Sequence, residues 1–438
     1  MRRILQALGF YSKLALKTLR YNKKQYVSLF TVCTVGCAIM LMVVFSTDGM
    51  LKSIRDKSLI YYGGDLVFRG GSSSTGSIPD VDGKIEMLDS LIDKDAEFYK
   101  RIDCDATSST LIFEGVETRL WQFRGVDFNA ERNLLSGLNI TSGGIGELDG
   151  RNGILISEFL ADKLSAKAGD SLTIQTTTDD GYTNTGDAII AGIFCDSSVF
   201  GTYTAYVDLK ALEKLIDRGE DYVNRISVYF PGRDFAKKDI VGLQKRLEAV
   251  YNMFPLTDDK DDFRDAIHDW DASAGELYGL IPLDSNIKDL QFIIDALKVV
   301  VDLIILILLV IIGVGMGSTY RIIVIKRTTE IGTFRALGMK HLGVRMVFMT
   351  ESFYLLVLGF LSGLVLALLG TWGLSCMNMS FVSAFEIFLT KSHLVPSINI
   401  VKSVSLFLIV IVTTISTTLF TIRNAVHISP VGALATTA

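Results

Sequence analysis

Four long apolar stretches constrain this chain more than any other feature of its sequence. They cover roughly residues 25–47, 297–318, 347–369 and 403–422. A helix rises about 1.5 Å per residue and needs about 20 apolar residues to cross ~30 Å of hydrocarbon, so each stretch could span a bilayer. Basic residues flank the stretches, which argues against helices buried in a soluble core. The sequence therefore predicts an α-helical membrane protein with four transmembrane helices.

The charges around these stretches predict their orientation. The segment before the first stretch holds no acid and these basic residues: Arg2, Arg3, Lys13, Lys17, Arg20, Lys23 and Lys24. The loop after the second stretch is also basic, with Glu330 as its one acid. Arg423 follows the fourth stretch, and the positive-inside rule places both segments and both termini in the cytoplasm. The segment Asp48–Leu290 then lies outside, and its net charge is −17.

This orientation divides the chain into four parts. We expect a cytoplasmic amphipathic helix over 1–24, a transmembrane helix over 25–47, an extracytoplasmic domain over 48–290 and a membrane domain over 291–438. Short β-branched runs such as "DAIIAGIF" and "NRISVYF" alternate with helical patterns such as "DLKALEKLIDRG" in the large segment. They predict a mixed α/β domain between the first and second transmembrane helices. The pattern before the second span predicts a helix that continues into it without a break.

Two cysteines, Cys104 and Cys195, fall in the predicted extracytoplasmic domain. A disulfide is chemically permitted outside the cytoplasm, so a bridge between them is possible. Two cysteines in a domain of this size could equally be separate core residues. The sequence leaves both alternatives open.

Motifs of catalysis and metal binding are missing from the sequence. It contains no G-x-x-x-x-G-K-[ST] loop for ATP, no G-x-S-x-G elbow and no H-E-x-x-H pair, and its four histidines are scattered. We therefore expect no catalytic residue, no bound cofactor, no metal site and no nucleic-acid partner.

A short helix with its own start and stop signals is predicted between the second and third spans, over about 328–338. Thr328 or Thr329 could cap its start, and Glu330 in the first turn suits the helix dipole. Arg335 suits the last turn, and Gly338 stands where a helix commonly ends.

One edge of this short helix is apolar. Ile331, Phe334 and Leu337 are spaced at i, i+3 and i+6. Such an edge could enter a groove on a partner protein. The alternative is an ordinary interfacial helix with positive-inside charge.

The third span carries a carboxylate and two spaced glycines. Glu351 follows Arg345 closely, and we expect it to lie at the inner interface or to pair there. Gly359 and Gly363 form a G-x-x-x-G pattern that permits close helix packing.

The region from Lys326 onwards resembles the FtsX-type permease domain, which MacB-like exporters, lipoprotein-releasing permeases of the LolC/LolE type and FtsX share. The resemblance rests on Arg327, Glu330, Ile331, Gly332, Arg335, Ala336, Leu337 and Gly338, followed by Glu351, Gly359 and Gly363. The overall layout of one span, a large exported domain and three further spans also fits that family.

The resemblance implies a permease subunit of an ABC transporter of the mechanotransmission (type VII) kind, with an exported domain like the periplasmic core of MacB. In that family the short helix couples to a separate ATPase, here one of the LolD/MacB type, which would use the ATP. The implied coupling residues are Glu330, Ile331, Phe334, Arg335, Leu337 and Gly338. A second permease copy or a paralogue would complete a dimer.

Two stretches of the exported segment favour one class of cargo over another. "MLKSIRDKSLIYYGGDLVFRG" and "GIFCDSSVFGTYTAYVDLKALEKLI" are similar to the LolC/LolE pattern. This similarity favours the release of lipoproteins or the handling of lipid-anchored cargo. MacB-like export of a hydrophobic compound or peptide is the alternative, and a membrane-anchored ligand sensor is an alternative of another class.

Overall fold

The structure is a computed structural model, and it describes most of the chain. The described residues are 2–71, 76–92, 95–104, 109–145, 152–178, 181–219, 221–232, 237–270, 275–379 and 383–425.

The secondary structure begins with two helices and then alternates strands and helices. The first elements are α1 (Arg2–Tyr21), α2 (Lys23–Tyr62), β1 (Leu66–Gly71), α3 (Val81–Leu91), β2 (Glu97–Cys104), β3 (Thr110–Phe113), β4 (Val116–Arg119), β5 (Gln122–Val126), α4 (Arg132–Leu135), β6 (Ile140–Gly143), β7 (Gly153–Ser157) and α5 (Glu158–Leu164). They are followed by β8 (Ser171–Thr177), β9 (Thr183–Phe194), β10 (Thr204–Asp208), α6 (Leu209–Leu215), β11 (Arg225–Tyr229), α7 (Lys237–Leu247), α8 (Lys260–His268), β12 (Leu277–Pro282) and α9 (Leu283–Asn286). The last elements are α10 (Lys288–Lys326), α11 (Thr328–Ala336), α12 (His341–Ser375), a 3₁₀ helix (Ser383–Phe388) and α13 (Ile400–Ala425).

The chain divides into two compact units. The membrane unit comprises Met1–Gly49, Asp295–Met377 and Leu394–Ala438. The sheet unit comprises Met50–Ile294 and Asn378–His393. The segment between the third and fourth spans therefore groups with the sheet unit, whereas the sequence alone assigned it to the membrane domain over 291–438.

Four helices of the described chain are long and apolar enough to cross a membrane: α2, α10, α12 and α13. The prediction of four apolar helices and a mixed α/β region is confirmed. The first and second of these helices are much longer than the predicted spans, with 40 residues in α2 and 39 in α10. The predicted unbroken helix into the second span is also confirmed.

The ends of α2 explain its length. The polar residues beyond Thr47 include no proline or glycine run that would stop a helix, apart from the isolated Gly49. The helix ends where Gly63 and Gly64 take φ values of +90° and +145°, which side chains with a Cβ rarely adopt. Neither α2 nor α10 is interrupted where the chain passes from one unit to the other, at Gly49 and at Asp295.

The sheet unit is built on one large mixed sheet. The strand order among the described residues is β12-β1-β11-β2-β5-β10-β7-β9-β8-β3-β4, and β6 pairs with β9. One face is covered by α3, α5, α6 and α7, whose apolar residues form clusters with inward residues such as Phe68, Ile102 and Ile226. The other face, which we call the α8 face, packs against α4, α8 and the end of α2 through Val67, Tyr99 and Tyr206.

The suggested disulfide between Cys104 and Cys195 is not formed. The register places Cys104, Phe123, Ala205, Ile156 and Ile193 in one row across five strands. Cys195 follows the last of these strands, so about four strand spacings, or roughly 19 Å, separate the two cysteines. A disulfide requires Cα atoms within about 7 Å. The structure accordingly contains no bond between the two sulfur atoms.

Candidate coupling site in the membrane unit

The short helix α11 starts without the side-chain cap that the sequence suggested. Arg327 is the N-cap residue, and it makes no capping hydrogen bond through its side chain. The Thr328 hydroxyl instead donates to the carbonyl oxygen of Ile325 at 2.7 Å, in the helix that precedes α11. The expectation that Thr328 or Thr329 caps the helix is wrong. Helix α10 continues to Lys326, and the Thr328 hydroxyl bonds to a carbonyl in the last turn of α10 instead of to an amide of α11.

The end of α11 is sharply defined. The amide of Gly338 donates to Arg335 at 3.0 Å, and the amide of Met339 donates to Phe334 at 3.0 Å. This pair of bonds is the Schellman arrangement, and it requires a left-handed residue at Gly338, whose φ is +90°. The half-buried Arg335 lies in the last turn, where a cation suits the helix dipole.

A buried charge cluster holds the start of α11. We define it by Arg327, Glu351, Tyr26 and Glu330. Nη1 of Arg327 donates to the Glu351 carboxylate at 2.8 Å and to the Tyr26 hydroxyl at 2.7 Å, and Nε donates to Glu330 at 2.7 Å. The Tyr26 hydroxyl in turn donates to Glu351 at 2.7 Å. The cluster therefore joins α2, α11 and α12 at the point where α10 ends.

The members of the buried charge cluster differ in exposure. The side chain of Arg327 is 2% exposed and that of Glu351 is 0% exposed, whereas that of Glu330 is 46% exposed. Burial alone would lower the pKa of Arg327, but the carboxylate of Glu351 beside it raises that pKa above its ordinary value. Arg327 therefore stays charged, and its charge is balanced within the membrane unit rather than by solvent.

The partner of Glu351 differs from the one that the sequence suggested. Arg345 precedes Glu351 by six residues on α12. Six residues are about 1.7 helical turns, so the two side chains leave the helix in directions about 120° apart. Sequence spacing alone could not identify Arg327 as the partner, because α11 and its flanking turns separate the two residues. The one sequence feature that could have suggested this pairing is that Arg327 and Glu351 both belong to the stretch that resembles the permease domain.

The apolar edge of α11 is divided between the interior and the surface. Ile331 is buried in the apolar cluster of the membrane unit, and Phe334 is half-buried against the same cluster. Leu337 is 81% exposed. Sequence reasoning expected all three residues to face a partner, but the structure leaves only Leu337 fully available.

The two spaced glycines of α12 lie against α2. A Cβ atom at Gly359 would lie 2.8 Å from Cβ of Cys33, and one at Gly363 would lie 2.8 Å from the carbonyl oxygen of Thr34. Contacts under 3.0 Å require something to move, and a backbone atom cannot move cheaply. The two helices therefore approach closely enough to exclude any larger residue at these positions.

Comparison with known proteins gives a family match and loose structural likenesses, one of them to a periplasmic region. Residues 303–430 match the family model described as FtsX-like permease C-terminal. The periplasmic region of MacB from Actinobacillus actinomycetemcomitans is 10% identical over 52% of this chain and 92% of that chain, with a TM-score of 0.30. This likeness is too loose to establish a shared fold. No curated protein matches the chain.

The class of protein follows from the four apolar helices and the family match. The described part of the chain has four helices long and apolar enough to cross a membrane, and residues 303–430 match the FtsX-like permease C-terminal family model. This match supports a permease role for the matched region. The candidate coupling site, from Arg327 to Gly338 together with Glu351, lies entirely within the matched region. No group of residues suited to a metal ion is found in the described part of the chain.

Proposed function

We propose that this chain is the permease subunit of an ABC transporter and that α11 is its coupling helix for a separate ATPase of the LolD/MacB type. The observation that carries the proposal is the construction of α11. Its first residues are held by the buried charge cluster, its end is fixed by Gly338, and it presents Leu337 to solvent. A helix fixed at both ends can transmit a force applied to its exposed residues.

The exposed residue suits a protein interface. An apolar side chain that enters a pocket at the centre of an interface commonly contributes about 2 kcal/mol or more. Leu337 is free to do so, while Ile331 and Phe334 attach the helix to the membrane unit. Phe334 is a poor choice for testing the interface, since its truncation would also disturb packing in the membrane unit.

We expect Leu337→Glu to reduce retention of the ATPase. A carboxylate placed in an apolar pocket loses the packing energy and adds a desolvation cost, so affinity should fall at least about thirtyfold. The measurement is the amount of ATPase that copurifies with the membrane-inserted variant, together with a titration of purified ATPase.

Val116→Glu is the matched control for this substitution. Val116 is an exposed apolar residue of the sheet unit, 44% accessible, and its replacement should leave ATPase binding unchanged. Unchanged affinity in Leu337→Glu would contradict the proposed contact. If the wild-type chain retained no ATPase at all, the membrane-anchored sensor would become the better explanation.

The proposed orientation follows the distribution of charge. We propose a bacterial inner membrane protein with cytoplasmic termini and with the acidic segment 48–290 outside. The basic residues of α1 and of the loop that contains α11 would then face the cytoplasm, where the ATPase resides. We also propose that a second permease copy or a paralogue completes the complex. Among the four long helices of the described chain, α10 has the least buried apolar segment. This exposure supports a further partner in the membrane.

For the cargo we propose a lipoprotein or another lipid-anchored molecule. The membrane unit contains an apolar cavity of about 230 Å³ lined by Phe45, Phe360, Leu364, Ile398, Ile400, Ser403, Val404 and Phe407. Its lining is almost wholly hydrocarbon, which suits an acyl chain. Lys402, adjacent to this lining, forms an ion pair with Asp48 and provides a polar group nearby.

We expect a synthetic triacylated lipopeptide to bind the purified protein and its deacylated form not to bind. Each buried CH₂ contributes about 0.8 kcal/mol, so loss of the acyl chains should remove most of the affinity. Binding can be measured by fluorescence polarisation of a labelled peptide. Equal binding of the two peptides would contradict a lipid-anchored cargo and would favour MacB-like export of a peptide.

A further inference from the structure

An arginine-rich site occupies one face of the sheet in the sheet unit. We define the arginine site by Arg69, Arg124 and Arg225, which lie around Asp103. We propose that this site binds a phosphate-type oxyanion. The proposal concerns the sheet unit alone and does not depend on the proposed transport function.

The strand register places these side chains on the same face. Arg69 of β1 lies opposite Arg225 of β11, and Arg225 lies opposite Arg101 of β2. Asp103, two residues beyond Arg101, lies opposite Arg124 of β5. Directly opposed residues share a face, and so do residues two apart on a strand. The sheet therefore collects four arginines and one aspartate on its α8 face.

The charges of this group do not balance. Arg101 is matched by the buried Glu131, with its Nε donating to the two carboxylate oxygens at 3.0 and 2.9 Å. Asp103 accepts a hydrogen bond from Nε of Arg124 at 3.0 Å and another from Nη1 of Arg225. Four guanidinium groups, including Arg69 and Arg101, act on this one carboxylate. The arginine site therefore carries an excess of positive charge.

The pKa of Arg225 reports the same excess. Burial lowers the pKa of Arg225 to about 9, and although Asp103 opposes this shift, the neighbouring Arg69, Arg124 and Arg101 reinforce it. A bound anion would remove this repulsion and restore the ordinary preference for the charged form.

Hydrogen-bond donors are left over on this face. Nη1 of Arg124, Nε of Arg225, the hydroxyl of Tyr206 and the hydroxyl of Ser227 are buried, and none has a hydrogen-bond partner in the part of the chain that the structure describes. Tyr206 lies beside Arg124 in the register, and Ser227 is two residues from Arg225 on β11. Each of these four groups can donate a hydrogen bond. Buried donors are rarely left without an acceptor, so the site lacks an acceptor-rich ligand.

A cavity adjoins the arginine site through Arg69. It has a volume of about 310 Å³, and its lining includes the carboxylate of Asp265 besides Arg69, Phe263, Arg264 and His268. The ring of Phe263 lies over Gly279. Gly279 of β12 is paired directly with Arg69 of β1, on the side of β1 opposite to β11. Arg69 therefore stands between the cavity on one side and Arg225 on the other, where a ligand could enter.

An oxyanion with several oxygens meets these conditions best. Guanidinium groups bind phosphate and carboxylate through paired hydrogen bonds, and phosphate offers more acceptor oxygens and more charge. The phosphate could belong to a lipid headgroup or to a soluble molecule. Both sources present the same chemistry to the arginine site.

The test measures binding to the full chain in micelles of a phosphate-free, uncharged maltoside detergent. Inorganic phosphate and the soluble lipid dihexanoylphosphatidylglycerol are titrated by calorimetry, with chloride at the same ionic strength as the reference. We expect saturable binding of at least one phosphate probe. In Arg69→Gln the affinity should fall about tenfold or more, since one charge-assisted contact is lost.

Arg132→Gln is the matched control, because it removes an exposed arginine from α4 in the same unit. It should bind as the wild type does. Binding of the lipid probe alone would identify a headgroup as the source, and binding of both probes would identify the phosphate group itself as the ligand. Heat no greater than that of chloride in the wild-type chain would overturn the proposal, as would equal affinity in Arg69→Gln. The wild-type result does not depend on whether a variant folds.

Discussion

Glu351→Ala is expected to lower the free energy of unfolding by about 3–5 kcal/mol, because it leaves the guanidinium of Arg327 buried without its carboxylate. Arg327 and Glu351 are both almost completely inaccessible, so water cannot replace the lost partner. The Tyr26 hydroxyl would also lose its acceptor. The measurement is unfolding of the purified protein in mixed micelles as the fraction of denaturing detergent increases.

Glu330→Ala is the natural control for this result. Glu330 forms an ion pair with the same arginine, but nearly half of its side chain is exposed. Its removal should cost no more than about 1 kcal/mol. A similar loss of stability in both variants would show that burial does not determine how much each ion pair contributes to the free energy of unfolding.

The double variant Arg327→Met with Glu351→Leu separates stability from coupling. Replacing a buried ion pair by apolar residues of similar size is often neutral for stability or even stabilising. The double variant should therefore fold about as well as the wild type. If the cluster positions α11 for the ATPase, this variant should nevertheless retain less ATPase than the wild type does. Normal stability together with normal ATPase retention would mean that the cluster does not position α11.

Asp295→Pro is expected to abolish cargo handling while leaving ATP hydrolysis by the complex largely intact. Proline removes a backbone donor and clashes with the preceding turn, at a cost of about 3 kcal/mol or more in a helix interior. Asp295 lies within α10, at the residue where the chain passes from the sheet unit to the membrane unit. We propose that α10 transmits motion, and a kink at this residue would interrupt that helix. Hydrolysis by the copurified ATPase and release of a labelled lipopeptide from proteoliposomes are the two measurements.

Asp295→Ala provides the comparison for the proline variant. It removes the same exposed carboxylate and its surface pair with Lys298 at 3.1 Å, yet it keeps the helix. Cargo handling should survive this change. Loss of both hydrolysis and cargo handling in Asp295→Pro would point to general misfolding rather than to an interrupted connection.

The sequence predicted the membrane helices well and their ends poorly. Apolar composition marks the part of a helix that contacts lipid, and the four stretches were found for this reason. Composition gives no signal for the polar continuation of α2 to Tyr62, which depends on packing within the sheet unit. The continuation of α10 ahead of its apolar stretch was anticipated, because the helical pattern runs into that stretch without a breaker.

At the candidate sites, too, the sequence predicted local structure but not contacts between residues that are distant in the chain. The termination of α11 at Gly338 depends on one residue and its neighbours, so local sequence was sufficient to predict it. The pairing of Arg327 with Glu351 joins different helices, and the arginine site joins four strands from distant parts of the sequence. Neither arrangement has a spacing that could be recognised in advance. The half-burial of Phe334 was missed for a related reason, since a helical edge does not reveal what packs against it.

The glycine contacts between α12 and α2 also have a mechanical consequence. Most helix pairs are separated by a layer of side chains that can change rotamer as one helix slides along the other. At Gly363 that layer is absent, because the position of a Cβ atom is only 2.8 Å from the Thr34 carbonyl. Sliding would drive the bulkier neighbours of Gly363 into the backbone of α2. We therefore expect α2 and α12 to move together, without sliding past each other at these glycines.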